Sequence, residues 1–369
     1  MEDERRATMK SLSWLMCAWM MMLLSACDIH QWPETRKNMP VILHLHYETD
    51  FWVWGHSYNQ ETGIVSQTLS DEEGVDEGHP GTSERYNAML DRGTMRYIVR
   101  AYRSGNRSEY VKEFVFTRDI SEGYDCDITI GLEPGDYEIV VWSDLCERSG
   151  DTPFYDASDF RSIDLQYRNY HACTDYRDGF RGTTSTVSLE ETIRVTDPEE
   201  ADIIMRRPMA KYEFIATDLS RFAERELTRR TSLAGKAAVP INVNDYTVRF
   251  YYINYVPVSY SAMSDRLVDS TVGLVFESSL SELSTSEASL GFDYVLLNSG
   301  GTSVRVQIGI YDETGERVAM TPIVDVPLRR DHHTVLRGTF MSQDEPSSGG
   351  NSGGVGIDPG FEGEYNMWV

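Results

Sequence analysis

Lysine is scarce in this chain. Only 5 Lys accompany 29 Arg, and the 34 basic residues face 59 acidic ones across 369 residues, a formal charge of −25. That deficit of cations excludes phosphate-backbone binding, so no nucleic-acid partner is expected. Cysteine is sparse as well. The 5 Cys include no C-x-x-C pair, which excludes a disulfide-dense scaffold and the common zinc motifs. Beyond residue 26 no apolar run approaches the length of a membrane-spanning helix. There is no H-E-x-x-H, Walker loop or G-x-G-x-x-G, so no catalytic residue, cofactor or enzyme activity is expected.

What is present suits packed β-structure. Hydrophobic residues make up 40% and aromatics 11%, with 21 Tyr. At about 150 residues per domain, the length suggests two domains.

Residues 11–26, SLSWLMCAWMMMLLSA, carry no charge. The stretch is short for a membrane span and right for the h-region of a signal peptide, with Lys10 before it. The preceding MEDERRAT is acidic for such a signal, and Met9 is an alternative start. Leu24-Ser25-Ala26-Cys27 resembles the bacterial lipobox. The expectation is a signal peptide over 1–26, cleavage before Cys27, and a diacylglycerol thioether on Cys27 at the head of a polar tether, 27–38. Acyl chains at ~0.8 kcal/mol per buried CH₂ hold a protein to a membrane. Cys17 leaves with the signal. Cys126, Cys146 and Cys173 remain, and a Cys126–Cys146 bridge across neighbouring strands is one expectation.

Period-2 alternation marks strands at 41–47, 95–103, 110–118, 126–132, 136–142 and 184–189. A long acidic loop is expected over 56–90. A boundary at Asp197-Pro198-Glu199-Glu200 divides a first domain, 39–200, from a second, 201–341. The second is expected to hold strands at 210–215, 245–255, 271–276, 290–297, 303–311, 317–326 and 333–341. One short helix, 219–230, has Asp218 as its N-cap and turns Phe222 and Leu227 to a sheet. Gly315 supplies a positive φ to a hairpin turn at 312–316. This spacing of strands with one helix reads as mainly β, two β-sandwiches. The Gly/Ser-rich stretch after 341 is a linker, yet 342–369 closes on aromatic residues.

Candidate chemistry is thin. His44 and His46 share one strand face, so two-His metal capture is conceivable, but no third ligand is evident and no metal is assigned. Neighbouring His332 and His333 point to opposite faces. Asp156, Asp159, Asp175 and Asp178 read as a solvated acidic face with aromatics beneath. Exposed aromatics in 154–180 could serve as a ligand platform, with Phe154 and Tyr155 the candidate contacts for a glycan or host protein.

Several segments resemble the fimbrillin-type lipoproteins of Bacteroidales, the fimbrial anchor and accessory subunits of the transthyretin-like pilin superfamily. They are LEPGDYEIVVWSD at 132–144, RPMAKYEF at 207–214, PLRRDHHTVLRG at 327–338, FEGEYNMWV at 361–369 and the start CDIHQWPE at 27–34. The resemblance implies two tandem transthyretin-like β-sandwich domains. It implies an adhesive fimbrial subunit at the cell outer membrane, lipid-anchored, whose partners are other fimbrial subunits joined by β-strand exchange. In polymerising members a trypsin-like protease cuts after an Arg and frees the first strand. Here Arg36 is the candidate cleavage point, and Phe361, Tyr365, Met367 and Trp368 belong to the candidate donor strand. The alternative is that this terminal segment folds back on its own domain.

Overall fold

The computed structural model describes residues 38–49, 51–60, 62–67, 93–146, 153–166, 170–190, 199–234 and 241–342. Cys27, Arg36 and the segment Phe361–Val369 lie outside them. Through the first half run β1 (Met39–Tyr47), β2 (Trp52–Asn59), β3 (Ile64–Gln67), β4 (Thr94–Arg103), β5 (Asn106–Asp119), β6 (Cys126–Leu132), β7 (Gly135–Cys146), β8 (Tyr155–Asp159), β9 (Ser162–Leu165), β10 (Gly179–Thr183), β11 (Val187–Leu189) and β12 (Glu199–Met205). The second half holds β13 (Met209–Ala216), α1 (Leu219–Ala234), β14 (Thr247–Tyr252), β15 (Val256–Ser261), β16 (Arg266–Thr271), β17 (Val275–Ser279), β18 (Ser281–Glu282), β19 (Ala288–Leu296), β20 (Thr302–Tyr311), β21 (Arg317–Met320), β22 (Val324–Leu328) and β23 (His332–Gly338). The chain is mainly β, with one α-helix among the described residues.

Alternation does the folding. In β1, Met39, Val41, Leu43 and Leu45 are buried while His44 and His46 face outward. The first sandwich packs β12-β1-β6 against β10-β7-β4-β5, with β11 also on β7. The second packs β18-β19-β13-β23-β2-β3 against β17-β14-β20-β21, with β22 also on β20. Each encloses its own apolar core.

The expected division at 200/201 is crossed three times. β12 runs to Met205 and pairs in parallel with β1. β2 and β3 leave the first half of the chain and extend the second sandwich through a parallel β2–β23 pairing. They occupy part of the stretch expected as an acidic loop. A fifth sheet, β16-β15-β9-β8, draws two strands from each half.

Other departures have local causes. The strand expected at 271–276 is two strands, because Gly273 turns the chain at φ +69°. Thr321-Pro322-Ile323 likewise divides β21 from β22. Gly315 has the expected positive φ, +81°. The Asp218 carboxylate does not cap α1. It accepts the backbone N–H groups of Phe340, Met341 and Ser342, and so pins the outgoing chain to the start of the helix. Phe222 faces the core as expected, but Leu227 is 38% exposed. Glu226, four residues after Phe222, takes the inward place and accepts the Tyr246 hydroxyl.

The seam between the sandwiches is aromatic and charged. Trp142, Phe160, Met209, Tyr260 and Tyr294 form a third core from both halves. Asp175 and Asp178, expected on a solvated face, are buried here. Asp178 pairs with Arg207 at 2.9 Å, and neither side chain has any exposure. The Arg207 guanidinium lies 4.0 Å from the Phe51 ring centre. Lys211 donates to Asp175 at 2.8 Å, and Arg177 pairs with Asp293, which also accepts the Tyr252 hydroxyl. Burial alone would raise the Glu213 carboxyl. His333 and Lys211, with the Ser289 hydroxyl, outweigh it and hold the group down at about 2.

Removing one member of a buried pair strands its partner. We expect Asp178→Ala to lower the unfolding free energy by about 3–5 kcal/mol. Asp178→Ala combined with Arg207→Met should cost less than Asp178→Ala alone, and urea titration of both variants checks this. Glu213 has a folded pKa below its usual 4.5. Its stabilisation is complete above 4.5 and is lost as pH falls toward 2. Glu213→Gln should therefore flatten the acid limb of the stability–pH curve over that window.

Candidate assembly surface

β1 has neighbours on both sides, β12 in parallel register and β6 antiparallel. Its inward side chains fill the first core, so lifting it out would leave a slot two strands wide at its edges and apolar at its floor. β1 begins three residues after Arg36. A cut after Arg36 therefore leaves β1 in place. No Lys or Arg occurs between Lys37 and Arg85. An Arg- or Lys-specific protease thus cannot part β1 from β2 and β3.

Among the described residues the first sandwich is closed on one side only. There Arg181 and Arg206 exchange backbone hydrogen bonds of 2.9 and 3.0 Å between the two sheets. On the other side both sheets end, among the described residues, in strands with a single sheet neighbour, β6 and β5. Between them lies a groove of about 620 Å³, floored by Leu45, Phe116 and Ile128 and rimmed by Arg118, Asp125 and Asp127. Phe116 stacks on Tyr97 with ring centres 4.7 Å apart. β5 is 14 residues long, and its single sheet neighbour among the described residues is β4. It exposes Tyr110, Val111 and Val115, the last to 59%. A long edge strand with apolar side chains is a template for a further strand.

His44 and His46 stand on the outer face of this sheet, between carboxylates from both flanking strands. His44 Nδ1 is 2.7 Å from Asp127, and His46 Nε2 is 3.3 Å from Asp202. Among the described residues no three His, Cys, Asp or Glu are grouped to hold a metal ion. The hydrogen bond to Asp127 raises His44 above 6.5, against a smaller effect of burial, and Glu200 and Asp202 add to the rise.

The expected Cys126–Cys146 bridge is not formed, and all three cysteines of the described residues are thiols. Cys126 pairs across from Leu45 and Cys146 from Thr94, in opposing sheets. Cys126 packs on the first core with Ile128 and Ile130, whereas Cys146 lies in step with Val140 and Trp142 on the other face of its sheet, so the two thiols do not meet. Phe154 is half-buried and packs on the seam core. Tyr155 is 1% exposed and its hydroxyl donates to the Arg177 carbonyl. Turn-rich sequence around these aromatics suggests exposure, but β8 and β9 fold them against Trp142, 5.5 Å from Tyr155. The strand expected at 110–118 is β5, and what the sequence does not announce is its place at the end of the sheet among the described residues. Its signal is EYVKEFVF, which alternates less cleanly than a strand with one dry face.

Two β-sandwiches that share strands across the division define a mainly β protein. The chain belongs to a family of unknown function, DUF6562, which matches residues 61–368. No curated protein matches it by sequence. Among solved structures it is similar to the fimbrial anchor protein Mfa2 from Porphyromonas gingivalis, with 14% identity over 76% of this chain and 82% of that one, TM-score 0.35. The tip fimbrial protein Mfa3 of the same organism shows 13% identity over 78% and 81%, TM-score 0.33. A candidate adhesin from Bacteroides ovatus shows 8% identity over 78% and 82%, TM-score 0.39.

The raised His44 value has a sign. The pair with Asp127 contributes fully below about 6.5 and its contribution is lost as pH rises through the folded value. Titration followed by NMR should place His44 above 6.5, and Asp127→Asn should bring it down. A His44 value unchanged by that substitution would count against the hydrogen bond as the cause.

Proposed function

We propose that this chain is a structural and adhesive subunit of a cell-surface fibre, in an anchor or accessory position. It is held in the outer membrane by lipid on Cys27 and joined to partner subunits by strand addition. The observation that carries this reading is the one-sided opening of the first sandwich at β5 and β6. A partner strand laid there gains main-chain hydrogen bonds and covers the groove. The lipobox and the fimbrillin-like motifs support the surface location and the partner type.

The place of β1 supports an end position over a shaft position. With the tether uncut or cut at Arg36, β1 fills its own slot, and no donor strand is needed there. Such a subunit receives at β5 and β6, and its terminal segment, with Phe361, Tyr365, Met367 and Trp368, is the candidate strand it gives. A second reading, a surface binder of glycans, is favoured by the part-exposed Tyr110 beside a polar recess.

The test is the intact mass of the native protein from outer-membrane fractions. We expect acylated Cys27 at the head of a chain reaching Val369, and Cys27→Ser should release the protein from the membrane. An unlipidated chain starting at Lys37 within high-mass polymers would overturn the anchor position. A monomer that never co-purifies with partner subunits would overturn strand addition.

A further inference from the structure

The recess beside Tyr110 lies at the other end of β5, on the opposite face of its sheet from the groove. Its volume is about 510 Å³. β4 and β5 supply Arg100, Tyr102, Glu109 and Tyr110 as one wall, and the β8–β9 turn supplies Asp159 and Arg161 as the other. We propose that this cleft is a subsite for a neutral saccharide. Tyr110 is the ring on which a pyranose stacks, and Glu109, Asp159 and Arg161 are the partners of its hydroxyls. The proposal rests on the second reading, that the chain binds glycans, and moves the aromatic anchor from Phe154 and Tyr155 to Tyr110.

Three observations carry it. The first is a ring that is both exposed and fixed. Tyr110 is 46% exposed, yet the Arg100 guanidinium covers it at 4.7 Å and Tyr102 meets it edge-on at 6.4 Å. Arg100 itself is immobilised. It lies 4.2 Å over Phe160, pairs with Glu113, and donates to the Ser158 carbonyl at 2.8 Å.

The second is charge. The charged lining residues Arg100, Arg161, Glu109 and Asp159 sum to zero, and Arg100 is itself paired with Glu113 behind the wall, so the cleft carries no surplus of cations and at most one surplus carboxylate in a chain of −25. A phosphate or sulfate would want surplus cations, and a metal ion or basic peptide surplus carboxylates. A balanced set beside an aromatic face suits a neutral ligand with an apolar side and many hydroxyls.

The third is preorganisation. The Asp159 carboxylate accepts the Arg161 backbone N–H at 2.9 Å, and Asp156 accepts that of Ser158 at 3.0 Å. The Arg161 side chain crosses to the Arg107 and Ser108 carbonyls on β5. The two walls are thus tied together at one end, and little ordering remains to be done on binding.

The test uses the full-length lipoprotein in detergent. Chitotriose, mannotriose, maltotriose, xylotriose and lacto-N-tetraose are screened by saturation-transfer NMR and then titrated by calorimetry. We expect at least one to bind saturably. Tyr110→Ala and Asp159→Asn should each weaken it by about tenfold or more. Tyr110→Phe should retain the affinity, which shows that the fold and the ring suffice, and Phe154→Ala should leave it unchanged. Saturable binding that survives Tyr110→Ala and Asp159→Asn overturns the cleft while the glycan reading stands. Absence of binding across the panel overturns both.

Discussion

The buried pair of Asp178 and Arg207 is the constraint on which this architecture turns. Two charges without exposure add little net stability over a well-packed apolar substitute. What they enforce is geometry. Arg207 opens the second sandwich just before β13, and Asp178 opens β10 in the first. Each charge is fully buried against the other, so separating the sandwiches would expose or strand both. Lys211 with Asp175, and Arg177 with Asp293, repeat the arrangement along the seam. Three strand crossings reinforce it, and β2, β3, β8 and β9 make the two halves share sheets. The result is two cores with one shared wall.

Much of this was written plainly in the sequence, and the legible parts share a cause. Strands with one dry face and one wet face announce themselves by period, as β1, β6 and β7 do. The helix and the Gly315 turn follow from local chemistry. The illegible parts depend on what lies opposite in space. Nothing local says that the Asp218 carboxylate serves residues 340–342. Nothing local says that Tyr155 sits under Trp142, or that Asp175 and Asp178 have basic partners some 30 residues onward. The strand crossings were hidden for the same reason. β2 reads as a strand only when β23 is there to receive it.

Asp175, Asp178 and Asp293 are fixed on the seam by burial and pairing. β5 carries a groove at one end and a polar recess at the other. One strand thus serves two faces of its sheet: apolar inward at Phe116, ring and charge outward at Tyr110.

The double flanking of β1 has a mechanical consequence. A pull through the tether would run along the strand axis. Seven register pairs with β12 and seven with β6 would then bear load at once, in shear. A strand at a sheet margin, pulled across its axis, would instead peel open pair by pair. The first described strand is therefore held by two ladders loaded together.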